Sequence, residues 1–140
     1  MTTLVKAFNL HFMELCKDIQ NVCPSNKEIK KVVFGAEMLQ KTKPRIFMEY
    51  WSMFSVKYLK EIESGNIDFF IEHDYKEEIA YSQTSSADTI AEYMDKFRKP
   101  MHDMGEENKA KCMKYIQNLT KMCQLHVSQH NTQYREHAVV

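Results

Sequence analysis

Three glycines and three prolines in 140 residues leave this chain little backbone punctuation. Loops that cradle phosphate need glycines at set spacings between a strand and a helix. No such run occurs, which excludes the common nucleotide-binding motifs. No apolar stretch approaches the roughly 20 residues that span a bilayer. The opening residues, MTTLVKAFNLHFMELCKD, are amphipathic and lack the charged patch and apolar block of a secretory leader. No serine sits in a G-x-S-x-G turn, and no Glu-x-x-His pair of the kind that builds di-iron centres in bundles is present. Net charge is missing too, with 19 Lys and Arg against 19 Asp and Glu. The expectation is therefore a protein that is not an enzyme, with no catalytic residue, cofactor or membrane span assigned.

What is present reads as helix. Hydrophobic residues make up 44% and charged residues 27%, the balance of an ordinary soluble globular protein. The length suffices to bury a core without disulfide staples. We expect an all-α fold, an irregular bundle of about five or six helices. Residues 1–129 should form one domain, and residues 130–140 lose the apolar pattern and should fray. Cys16, Cys23, Cys112 and Cys123 fall on apolar stripes of a chain without an export signal, so they are expected as reduced core thiols.

The first helix should run from a Thr3 cap to about Asn21, with Phe8, Phe12, Leu15, Cys16 and Ile19 inward. Pro24 stops it. Ser25 followed by Glu28 has the form of a capping box for a second helix to about Lys41, with Ile29, Val32, Val33, Ala36 and Leu39 inward. Gly35 inside that helix suggests close approach of a neighbour. Pro44 suits the first position of a third helix reaching Ser64, where Gly65 ends it and Asn66 caps the next element. The apolar run from Ile67 to Ile71 is expected as a helical turn, because no partner strand is in sight, with Tyr75 and Ile79 continuing. The polar segment SQTSS, residues 82–86, should be a loop ending in a Ser86 cap. Ile90, Tyr93, Met94 and Phe97 then face inward on a helix that Pro100 ends or kinks. After Gly105 a last long helix carries Cys112, Met113, Ile116, Leu119, Thr120 and Cys123.

Three groups of residues bear on function. Cys123, His126 and His130 fall at helical spacing, but a zinc site needs four such ligands. His137 could complete it only if the tail folded back, so a core thiol beside solvated histidines is the favoured reading. On the aromatic third helix, Phe47, Trp51, Phe54 and Tyr58 read as core, whereas Tyr50, Met53 and Lys57 lie off that stripe and are candidates for partner contact. Lys27, Lys30, Lys31, Lys41, Lys43 and Arg45 form the densest basic cluster, a candidate phosphate contact without the aromatic interleaving of a single-strand groove.

Charge is banded along the chain. Residues 1–60 hold ten Lys or Arg against five Asp or Glu, residues 61–107 four against thirteen, and residues 108–140 five against one. Opposite bands attract within about a Debye length, which allows self-neutralisation inside the bundle, ordered contact between copies, or a basic face turned to nucleic acid. Self-neutralisation is the simplest expectation.

Three stretches, FNLHFMELCKDIQNVCP, ESGNIDFFIEHDY and MGEENKAKCMKYIQNLTKMCQL, together resemble a family of small helical proteins encoded by large double-stranded DNA viruses of algae and protists, over about residues 7–126. The resemblance implies a minor structural, capsid-associated or assembly protein. Its partners would be itself or capsid proteins, and its place the virion and, during assembly, the host cell cytoplasm. The resemblance carries no functional residues across. A nucleic-acid-associated protein acting through residues 27–45 is the alternative.

Overall fold

The structure is a computed structural model describing residues 3–75 and 85–138, with side chains described for 3–75 and 89–126. Among the described residues it is all helix: α1 (Thr3–Val22), α2 (Lys27–Thr42), α3 (Ile46–Lys57), α4 (Leu59–Glu63), α5 (Ile67–Glu72), α6 (Ser85–Asp103) and α7 (Glu106–Ala138). No described helix is long and apolar enough to cross a membrane. The helices form a packed bundle in which α1 lies against α7 and α2, and α3 is held among α7, α6 and α1.

Most of the expected inward residues make the core, with Leu39, Tyr58 and Tyr93 half-buried against it. Phe8, Phe12, Ile19, Ile29, Phe47, Trp51, Ile90 and Ile116 are almost wholly removed from water. Burying such side chains contributes about 1.5–3 kcal/mol each, which holds helices that would be marginal alone. Phe54 lies at the centre of an aromatic group: Tyr50, Trp51, Tyr58, Phe70, His73 and Tyr75 have ring centroids 5.0–6.1 Å from its own.

Local signals place most ends within a residue or two, with corrections. Thr3, expected as a cap, is already helical. The cap of α2 is Asn26 rather than Ser25, its side chain accepting from the Ile29 amide at 3.1 Å. Pro44 precedes α3, which starts at Ile46. The expected single helix to Ser64 is interrupted at Tyr58, whose backbone leaves helical geometry where its ring meets Phe54, Phe69 and His73. Gly65, with φ of 72°, ends α4. Its amide donates to the Ile62 carbonyl and that of Asn66 to Glu61, the paired bonds of a Schellman turn. Asn66 then caps α5 by accepting from the Phe69 amide at 3.2 Å.

Ile79 and residues 82–84 of the expected loop lie outside the described residues, and α6 begins at Ser85, ahead of the expected Ser86 cap. Pro100 does not end α6, which continues to Asp103. Buried Pro100 sits among buried Phe97, Met101 and Met104, and this packing offsets the missing amide bond. Helical backbone likewise continues past His130 to Ala138. Gly35 does meet a neighbour: a Cβ there would lie 2.5 Å from the Tyr93 hydroxyl of α6.

Polar side chains on the long helices hold the short connections. Asn9 donates to the Pro44 carbonyl at 2.7 Å, Gln117 to that of Ile62 at 3.0 Å, and Arg98 to that of Ile71 at 2.7 Å. In the core, the Trp51 indole donates to the Thr120 hydroxyl at 3.0 Å, which donates to the Ile116 carbonyl at 2.9 Å. Thr120→Val keeps the shape but leaves the indole N–H buried without an acceptor. The expected loss is about 1–3 kcal/mol, read as a lower urea midpoint with an unchanged slope. Thr120→Ser should retain most of the stability, and a Val variant as stable as the parent would show that the bond contributes nothing.

Candidate functional site

The outer face of α3 is the first candidate. Its inner face buries Phe47, Met48, Trp51 and Phe54, yet Met53 and Val56 remain 65% and 80% exposed. They stand at i and i+3, one apolar step on the surface, with exposed Glu49 one turn before Met53 and exposed Lys57 one turn after it. Of the three residues expected to meet a partner, the structure leaves Met53 and Lys57 at the surface and takes Tyr50 away. Tyr50 is 7% exposed, its ring stacked on Phe54 at 5.9 Å, because i and i+4 share a face and the buried stripe of α3 is wider than four residues imply. The Lys57 ammonium sits over the Tyr58 ring at 5.7 Å, a cation–π contact. Val56 is not among the expected contact residues, although its spacing from Met53 would have marked it.

The second candidate is the outer face of α2. Lys27, Lys30, Lys31 and Lys41 are all exposed, followed by exposed Lys43 and Arg45 in the turn to α3. At 3.6 residues per turn, Lys27, Lys30, Lys31, Phe34, Met38 and Lys41 fall within about 100° of arc. Phe34 and Met38, 66% and 46% exposed, occupy the middle of that stripe. The basic segment therefore does carry an aromatic residue on the same face as its lysines, contrary to expectation, and it shows only when the segment is wound as a helix. Lys43, Pro44, Arg45, Ile46 and Glu49 line an open hollow of about 410 Å³ at the end of the stripe.

Among the described residues, few ion pairs join one charge band to another, Glu28 with Lys96 and Glu106 with Lys109 being two that do. Glu28 pairs with Lys96 of α6 at 3.7 Å, and Glu37 with Lys17 of α1 at 3.3 Å. These are the two acids of α2, so the pairs remove its minority charge. Among the described residues no carboxylate pairs with Lys27, Lys30, Lys31 or Lys41. Exposed pairs of this kind contribute about 0–1 kcal/mol. Their consequence is the pattern they leave on the surface.

The thiols are poorly placed for chemistry. The four cysteines are unpaired with one another, and Cys16, Cys112 and Cys123 are buried. Burial pushes the Cys112 and Cys123 thiols up to about 11 and that of Cys16 higher still, so each is protonated and a weak nucleophile near neutral pH. Cys123 points its sulfur at the Met48 carbonyl, 3.8 Å away, and His126 is half-buried on the next turn. The side chains of His130 and His137 lie outside the described residues. Among those described, no three His, Cys, Asp or Glu come together as metal ligands.

Two shallow clefts of about 200 and 230 Å³ flank Tyr115 where α1 meets α7. The Tyr115 hydroxyl donates to Asp18 at 2.9 Å, and desolvation followed by this bond pushes it up to about 12. The ring of His11 packs on that of Tyr115 at 4.6 Å, with Glu14 3.8 Å from its Nδ1. The hydroxyl is thus committed to Asp18, and the group reads as a tie between α1 and α7.

Fold and surface together define an all-α bundle with a buried aromatic centre and two exposed, partly apolar helix faces. Comparison with protein-family models, curated proteins and solved structures finds no match for the chain.

Proposed function

We propose that the protein is a non-enzymatic interaction protein, a minor capsid-associated or assembly protein of a large DNA virus. The observation that carries the contact role is the pair Met53 and Val56, large apolar side chains left in water on a helix whose other face is fully packed. An exposed apolar step rimmed by Glu49 and Lys57 has the composition of a small interface: an apolar centre, with methionine favoured, and a charged margin. The viral setting rests on the resemblance of the three sequence stretches.

The test is incorporation into particles. Mass spectrometry of purified virus should find the chain. Met53→Asp with Val56→Asp should lower its incorporation by about tenfold, the effect of losing one interface hot spot. Helicity should persist and the thermal midpoint fall only slightly, since both residues are exposed but acids in the C-terminal half of α3 oppose its dipole. Absence from particles, or wild-type incorporation of the double variant, would overturn the proposal.

A second reading, association with nucleic acid through residues 27–45, is favoured by the exposed lysines around Phe34, because bases stack on aromatic rings while ammonium groups track phosphates. Fluorescence anisotropy decides it, since such binding must weaken steeply as salt rises.

A further inference from the structure

We infer that the outer face of α2 docks onto the α4–α5 edge of a second copy of this chain, joining copies head to tail. The inference rests on the contact role above but uses surfaces separate from the outer face of α3.

The basic half of the contact is the four exposed lysines around Phe34 and Met38, with the two acids of α2 tied up by Lys96 and Lys17. The complementary half lies between residues 61 and 75, a segment with five carboxylates and no Lys or Arg. Glu63, Asp68 and Glu72 are exposed there and Glu61 is half-buried, and none of the four pairs with a cation among the described residues. Arg98 of α6, which reaches the end of α5, spends its guanidinium on the backbone carbonyls of Ile71 and Glu72 and on Asp95 of its own helix, and the Glu72 carboxylate has no ion-pair partner among the described residues. Half-buried Ile67 and Phe69 lie among these acids, an apolar counterpart for Phe34 and Met38.

Within one molecule these halves do not meet. No ion pair joins α2 to α4 or α5 among the described residues, and α2 packs on α1, α6 and α3 while α4 and α5 pack on α7, α6 and α3. A patch that finds its complement elsewhere on an identical molecule makes a heterologous contact, which closes into a ring or propagates as an open filament. Charge complementarity selects the register and the apolar centre holds it. A second copy satisfies both halves at once, whereas a nucleic acid or an anionic membrane would leave the acidic edge unanswered.

The experiment is sedimentation velocity on the full chain over a range of concentration and salt. The parent should self-associate reversibly at low salt and revert to monomer near 1 M salt, where the Debye length falls to about 3 Å. Lys27→Glu with Lys31→Glu places acids near the N-terminus of α2, and Glu63→Lys with Glu72→Lys places cations at the ends of α4 and α5, so both changes suit the helix dipoles. Circular dichroism should confirm that each double variant folds. Each alone should be monomeric, and an equimolar mixture should associate, because each then offers the face the other lacks. Phe34→Ala should weaken self-association of the otherwise unchanged chain by about tenfold.

A parent that stays monomeric at low salt and high concentration, or a mixture that fails to associate, overturns the inference. So does Lys27→Glu with Lys31→Glu abolishing binding to single-stranded DNA or anionic vesicles while leaving self-association intact. Self-association in solution is read without particles, so its failure is distinct from failure of the incorporation test at Met53 and Val56.

Discussion

Phe54→Ala should destabilise the protein by about 3–5 kcal/mol, the range for removing a large aromatic ring from a packed core. Six other rings lie within 6.1 Å of its centroid, contributed by α3, α5 and the segment around Tyr75. Truncation removes the transfer energy of one ring and strands several neighbours beside a void, and rings packed at several angles collapse poorly into such a space. Against a typical total of about 5–15 kcal/mol, the loss is a large fraction of stability. Urea denaturation followed by tryptophan fluorescence should show a much lower midpoint, with Trp51, 5.6 Å from Phe54, reporting directly. Phe54→Leu should recover about half the loss by refilling much of the volume. A change under about 1 kcal/mol for the alanine variant would mean that the aromatic group is not a stabilising unit.

Arg98→Met should release the C-terminus of α5. The guanidinium donates through Nε to the Ile71 carbonyl at 2.7 Å and through Nη2 to that of Glu72 at 3.3 Å, while Nη1 meets Asp95 at 3.1 Å. A helix of six residues has few internal bonds, so carbonyls at its end are satisfied from outside or not at all. A charge-assisted bond contributes about 1.5–3 kcal/mol, and the part-buried bond to Ile71 should account for most of the loss. Methionine keeps the aliphatic packing while removing every donor. A lysine has one compact cationic head and cannot span two carbonyls and a carboxylate, so Arg98→Lys should restore only part of the stability. Amide hydrogen exchange should show faster opening of α5 in the Met variant, while α1 and the buried part of α7 keep their protection relative to global stability. Unchanged exchange in α5 would remove this role from Arg98.

The two results address different levels of the same chain. Phe54 was legible: its spacing from Phe47, Trp51 and Tyr58 marks the inward face of a helix before any coordinates are known. Arg98 was not, because an arginine on an amphipathic helix looks like solvated charge until the end of α5 is brought beside it. Asn9 and Gln117 escaped for the same reason, each holding a carbonyl many residues away. The candidate faces divide similarly. Met53 and the lysines of α2 were visible as residues, but Tyr50 was turned inward by the width of the α3 stripe. Phe34 and Met38 became part of a face only when α2 was wound and its outer side left unpacked.

Period and punctuation determined the elements: apolar residues three and four apart produce helices, and Gly65 and Asn66 set ends through local hydrogen bonds that need no distant partner. Such signals act over one or two turns, which is why they are readable along the chain. The break at Tyr58, the passage of α6 through Pro100, the pairing of Glu28 with Lys96 and the unanswered charges on α2 and α4–α5 were decided only by tertiary structure. Each depends on which side chain arrives from a residue far away in sequence, and that is set by packing the whole bundle at once.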